Sequence, residues 1–135
     1  MKPKSIVTCL PSKNLERSLK FYKECFRLED LEIEDDSQIT IEIANLSIFI
    51  MRQEEYEKYT QKAGLWASYP NEGNVQVIHS CAVSSTEMID HVFASAQTAG
   101  GKVAGRMEKN EWGQNTGYVC DPDGHLWEIT QITKE

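Results

Sequence analysis

Long apolar runs are missing from this 135-residue chain. The richest stretch, Ile39 to Met51, is interrupted by Thr40, Glu42, Asn45 and Ser47, and is too short to cross a bilayer as a helix. A Lys/Arg stripe is missing as well. With 14 basic against 21 acidic residues the formal charge is −7, so phosphate backbones find no cationic track and nucleic acid is not an expected partner. The opening "MKPKSIVTCLPSK" has neither an apolar leader segment nor a small-residue cleavage site, which predicts a cytoplasmic chain. Cysteine is sparse and scattered. Cys9, Cys25, Cys81 and Cys120 form no C-x-x-C pair, which predicts reduced, mostly buried thiols rather than a disulfide framework.

What is present is ordinary for a globular domain, with 40% hydrophobic and 26% charged residues. A chain of this length can bury roughly 65–70% of its unfolded surface and fold as one unit without staples. The acidic balance serves solubility, and it gives a weak preference for cationic small molecules.

Periodicity orders the chain into two similar halves. "SIVTCL" (5–10) reads as a β-branched strand ended by Pro11 and Ser12. In "NLERSLKFYKECF", Leu15, Leu19, Tyr22 and Phe26 fall on one helical face, with Asn14 or Ser12 as the cap. Leu31 to Ile33 is a weak strand, and "QITIEIA" and "LSIFIM" are strands joined at Ala44-Asn45. The pattern dissolves from Arg52 to Asn74, where "RQEEYEKYT" predicts a helical turn or two before a Gly/Pro/Asn loop. The order then returns. "VQVIHSCAV" is a strand, and Ser84 with Glu87 fits a capping box for a helix carrying Ile89, Val92, Phe93, Ala96 and Ala99. "KVAGRMEK" is a strand with a glycine kink, and "GYVCD", a Pro-Asp-Gly turn and "HLWEITQI" close a hairpin. Each half is thus strand–helix–strand–strand–strand. Module one spans 1–51, a connecting segment 52–74, and module two 75–135 within a single domain.

"NLERSLKFYKECF", the duplicated βαβββ order and "GYVCDPDGHLWEI" together resemble the vicinal oxygen chelate superfamily, which includes glyoxalases, bleomycin-resistance proteins and extradiol dioxygenases. The resemblance implies an α+β fold, two βαβββ modules forming a cupped mixed sheet with helices on the convex side. It also implies a homodimer. In the metalloenzymes of this group, inward ligands stand on the first and last strands of each module. Carried onto this chain, those positions fall on Val7, Ile48 or Phe49, Ile78 and Glu128, of which only Glu128 binds metal. His79 is one step off register, and one step along a strand points to the other face. Glu42, Cys9 or Cys81 could substitute only by departing from the pattern. No metal and no cofactor are therefore expected.

The leading expectation is a small-molecule-binding protein of the bleomycin-resistance kind, with a small organic ligand and no membrane partner. Glu128, Trp112, Tyr118, His79 and Phe49 are the candidate ligand contacts. Trp66 and Tyr69 could wall the far side, since aromatic walls suit flat or cationic ligands. The alternatives are a metal-dependent lyase, isomerase or dioxygenase, and a metal-free enzyme using Glu128 or His79 for proton transfer. His91 and His125 are expected to face water, and Trp127 to lie in the core.

Overall fold

A computed structural model of the protein describes residues 2–70 and 74–132. The chain runs β1 (Thr8–Ser12), α1 (Leu15–Cys25), β2 (Ile33–Glu34), β3 (Gln38–Ile43), β4 (Leu46–Arg52), α2 (Gln53–Lys62), β5 (Ile78–Val83), α3 (Thr86–Ser95), β6 (Lys102–Lys109), β7 (Asn115–Cys120) and β8 (Leu126–Gln131). Two four-stranded sheets result, ordered β1-β4-β3-β2 and β5-β8-β7-β6. In each, the first strand pairs in parallel with the last and the remaining pairs are antiparallel. A parallel pair needs a crossover, and α1 and α3 supply it. The result is the α+β fold of two βαβββ modules with an open, cupped mixed sheet.

Local chemistry sets the helix starts. Asn14 caps α1 by accepting from the Arg17 N–H at 3.0 Å, while the Ser12 hydroxyl accepts from the Asn14 N–H at 3.1 Å and bonds Ser18 at 2.8 Å. At α3 the cap is Ser85 rather than Ser84, with its hydroxyl accepting from the Met88 N–H at 3.1 Å. That one-residue shift puts Met88, not Glu87, where a capping box needs an acid. Glu87 instead forms a two-pronged ion pair with Arg27, tying the end of α1 to the start of α3. The connecting segment is more helical than its sequence suggests, because α2 spans ten residues. Its acidic start (Glu54, Glu55) and Lys62 near its end complement the helix dipole. The expected kink in β6 is real, and the ladder to β7 slips on both sides of Gly105.

Strand alternation sends Ile39, Ile41, Ile48 and Ile50 from module one, and Val119, Trp127 and Ile129 from module two, into one core under the helices. Trp127 is 2% exposed and packs on Phe26 (4.8 Å between ring centroids) and Tyr22 (6.0 Å). Tyr22 also carries polar structure across the modules. Its hydroxyl donates to Asp121 Oδ2 at 2.6 Å and accepts from Trp127 Nε1 at 3.2 Å.

Replacing Tyr22 by Phe leaves a buried carboxylate oxygen and a buried indole N–H unpartnered. Urea unfolding of Tyr22→Phe should show a loss of about 2 kcal/mol, against a few tenths for Tyr118→Phe at the sheet surface.

Candidate functional site

The Asp-Pro-Asp-Gly turn determines what β8 presents. Asp121 Oδ1 accepts the backbone N–H groups of Asp123 and His125, each at 2.9 Å, and Gly124 supplies the left-handed backbone (φ 93°) that the turn requires. Asp123 reaches module one, accepting from the Lys13 N–H at 2.9 Å and the Ser18 hydroxyl at 3.1 Å. His125 does not face water as expected. It is 5% exposed and its Nε2–H donates to the Pro11 carbonyl at 2.8 Å, because the turn folds back on β1.

With the turn fixed, β8 alternates. Trp127 and Ile129 enter the core, and Glu128 emerges on the opposite face between Ser80 on β5 and Tyr118 on β7, its register partners. The Ser80 hydroxyl donates to Oε1 at 2.6 Å and the Tyr118 hydroxyl donates to Oε2 at 2.7 Å. These bonds, Ser80 first, hold the Glu128 carboxyl below the usual glutamate range, with slight burial opposing them. The same bond pushes the Tyr118 phenol up. Gly105 lies against the Tyr118 ring, where a Cβ would sit 3.1 Å from the ring edge. Glu128 is therefore an ionised acceptor with one hydroxyl on each oxygen.

The corresponding rung in module one pairs Cys9 with Phe49, Cys9 and Ser80 standing the same distance ahead of their helix caps. The equivalent rung positions are thus Cys9 and Phe49 in module one, and Ser80 and Glu128 in module two. Val7 precedes β1, and Ile78 pairs with Leu126. Cys9 is exposed, unlike the buried thiol expected of it, and partial burial still pushes its pKa up. A neutral thiol, a phenyl ring, an engaged hydroxyl and one carboxylate do not fit a divalent ion. Among the described residues no group of three His, Cys, Asp or Glu side chains converges as a metal cage.

The other expected contacts lie apart from this rung. The β5–β8 ladder is unbroken, so His79 stays on the helix side, 8% exposed, with its ring stacked on Trp127 at 4.9 Å. Its Nδ1 has no hydrogen-bond partner among the described residues. Burial pulls the His79 pKa down, opposed by the nearby Leu126 carbonyl and assisted by His125. Trp112, 75% exposed, sits in the β6–β7 turn, and Trp66 is 90% exposed. Tyr69 donates to Glu57 of α2. His91 is half-buried rather than solvated, 2.7 Å from the Glu24 carbonyl. Ser80 was not among the candidates. Its parity with Glu128 becomes visible only once the parallel register is known.

The chain belongs to the Glyoxalase/Bleomycin resistance protein/Dioxygenase superfamily, whose family model matches residues 5–129. It is similar in structure to a hypothetical protein from S. aureus (21% identity, TM-score 0.78, covering 98% of this chain and 96% of that one). It is also similar to a glyoxalase-related enzyme from Fulvimarina pelagi (20%, TM-score 0.76, 98% and 89%). A third similar structure is lactoylglutathione lyase from Agrobacterium tumefaciens (14%, TM-score 0.66, 96% and 95%). At these identities the likeness concerns the fold. No curated protein matches the sequence.

Carboxyl-carbon NMR should find Glu128 titrating below 4.5, its ordinary value, and moving back up in Ser80→Ala combined with Tyr118→Phe. For His79 the linkage has the opposite sense. Its folded pKa lies below its ordinary 6.5, so the stability it allows is complete above pH 6.5 and is lost as pH falls through the folded value. Melting temperature should drop more steeply below pH 6.5 in the wild type than in His79→Phe.

Proposed function

We propose that this superfamily member captures a small organic ligand on the open sheet face around Glu128, with no metal ion in that place. The observation that carries the reading is the pair of hydroxyls on an ionised carboxylate. Ser80 and Tyr118 each use one direction on one oxygen, and a carboxylate has further lone pairs with which to accept from an incoming donor. A carboxylate held charged, with aromatic surface from Tyr118 beside it, recognises an amine or another cationic donor on an organic frame. Phe49, in the matching rung of module one, offers apolar contact to the rest of such a ligand. The overall acidic charge favours the same class of ligand.

Proton transfer is the weaker reading. A general base works best with its pKa near the working pH, and the two hydroxyl bonds move Glu128 the other way. The proposal includes a cytoplasmic homodimer. Ile6, Val7, Val77 and Ile78 support the pairing, since all four are exposed at the leading ends of β1 and β5.

Thermal-shift titration separates capture from Lewis-acid chemistry. Zn²⁺, Ni²⁺, Mn²⁺ and Fe²⁺ are titrated beside benzylamine and benzyltrimethylammonium, on wild type and Glu128→Gln. A ligand at a hundredfold excess over its Kd adds about 2.7 kcal/mol, a rise of several degrees. The organic cations should raise the melting temperature only when Glu128 is present, and the metal ions should act alike on both proteins. Metal-ion stabilisation that vanishes in Glu128→Gln would overturn the proposal in favour of metal-dependent chemistry.

A further inference from the structure

Glu128 shares its face of β8 with Thr130, and Thr130 ends a chain of oriented hydrogen bonds. The chain starts at Asn110, the residue after β6. Asn110 Oδ1 accepts the backbone N–H groups of Trp112 at 2.9 Å and Gln114 at 3.0 Å. A backbone N–H only donates, so these two bonds fix which end of the amide is oxygen. Its Nδ2 then donates to Gln114 Oε1 at 3.3 Å and to Thr116 Oγ1 at 3.2 Å. Both ends of the amide are fully used, and the direction of donation is set.

Thr116 passes that direction on. It is 7% exposed, and its Oγ1 lies 3.0 Å from Oγ1 of Thr130, its register partner across the ladder. Asn110 already donates to the Thr116 oxygen, so the Thr116 proton needs an acceptor in a place water hardly reaches. Among the described residues Thr130 Oγ1 is that acceptor. The proton of Thr130 is thereby left for another partner. Thr130 is half-buried, and Ala82 beside it on β5 is exposed and carries only a methyl, so that flank of Thr130 is uncovered. A threonine pair across a ladder steadies a sheet whichever hydroxyl donates. Asn110 adds the direction.

We propose that Thr130 is a specificity contact of the Glu128 site, its hydroxyl donating to a neutral oxygen of the ligand while Glu128 holds the ligand's cation. The inference rests on the capture reading above and narrows it to amines that carry an ether, hydroxyl or carbonyl oxygen. Residues two apart on one strand face are separated by about 7 Å, which sets the spacing between the ligand's nitrogen and oxygen. Charge sets the rest. Glu128 lies along the strand and Glu108, the β6 register partner of Thr116, lies across it. A carboxylate in place of the neutral oxygen would meet repulsion from both.

Calorimetric titration of four benzylamines tests this. The para-methoxymethyl compound carries an ether oxygen, which can only accept, at the required spacing, and the para-propyl compound has the same shape without it. The ortho-methoxymethyl compound holds the oxygen too close to the nitrogen, and the para-carboxymethyl compound puts a charge in its place. The wild type should bind the para ether about five- to tenfold tighter than the other three. Thr130→Val, which keeps the branched shape, should erase that preference, and Thr130→Ser should retain it. Thr116→Val should lower the preference without changing the affinity for the propyl compound, and Thr116→Ser should restore it. Equal binding of the para ether and propyl compounds, tighter binding of the carboxylate, or a preference that survives Thr130→Val or Thr116→Val would overturn the inference. The capture reading would then stand if the amines still lose affinity in Glu128→Gln. No binding by any of the four, or binding unchanged in Glu128→Gln, would overturn both.

Discussion

The carboxylate of Asp121 is fully buried, and the geometry of module two is organised around it. One oxygen closes the Asp-Pro-Asp-Gly turn by accepting two backbone N–H groups, and the other accepts the Tyr22 hydroxyl from α1 of module one. Burial pushes the Asp121 carboxyl up, while His125 and Tyr22 hold it down. A charge in that position survives only because each lone pair that faces protein is used. Asp123 and His125, flanking the same turn, bond to Ser18 and Pro11, so one short segment fastens the two modules together. The site depends on this fastening. Where the turn ends decides where β8 begins, and the parity of β8 decides which of Trp127 and Glu128 is buried.

That parity divides the chemistry between two faces. On one face lie Glu128, Ser80 and Tyr118, where the carboxylate keeps its charge and two neutral hydroxyls donate to it. On the other lie Trp127 and His79, stacked and dry. A slip of one residue between β5 and β8 would exchange them, putting a carboxylate beneath the helices and an indole in solvent. The two faces of one ladder therefore differ sharply in polarity.

Much of this was legible in the sequence. The helix at Leu15, the alternation in "QITIEI" and the turn at 121–124 each carry a local physical signal and each forms, although the buried face of α1 is Leu15, Ser18, Phe21, Tyr22 and Cys25, with Leu19 and Phe26 only partly covered. The burial of Trp127 and the opposed facing of His79 followed from parity alone. The errors arose where tertiary contacts override local rules. His125 reads as a turn residue, yet a carbonyl 114 positions earlier claims its ring. Glu87 reads as half of a capping box, yet Arg27 offers it a stronger, charged partner. Ser80 had no distinguishing signal, because its importance lies in standing opposite Glu128 on a strand 48 positions away.

The duplication adds a last constraint. Both modules keep the same ladder, yet the matching rungs have diverged to Cys9 with Phe49 and Ser80 with Glu128. A metal cage drawn from both modules needs donors on both rungs, and module one offers a raised-pKa thiol and a phenyl ring. Module two has moved in a compatible direction, since Ser80 and Tyr118 occupy Glu128 with hydroxyls that a metal would have to displace or share. Those hydroxyls cost little at a half-exposed surface, and they orient the carboxylate before any ligand arrives. In the proposed capture function, that oriented acceptor is the group that would meet the charge of an organic cation.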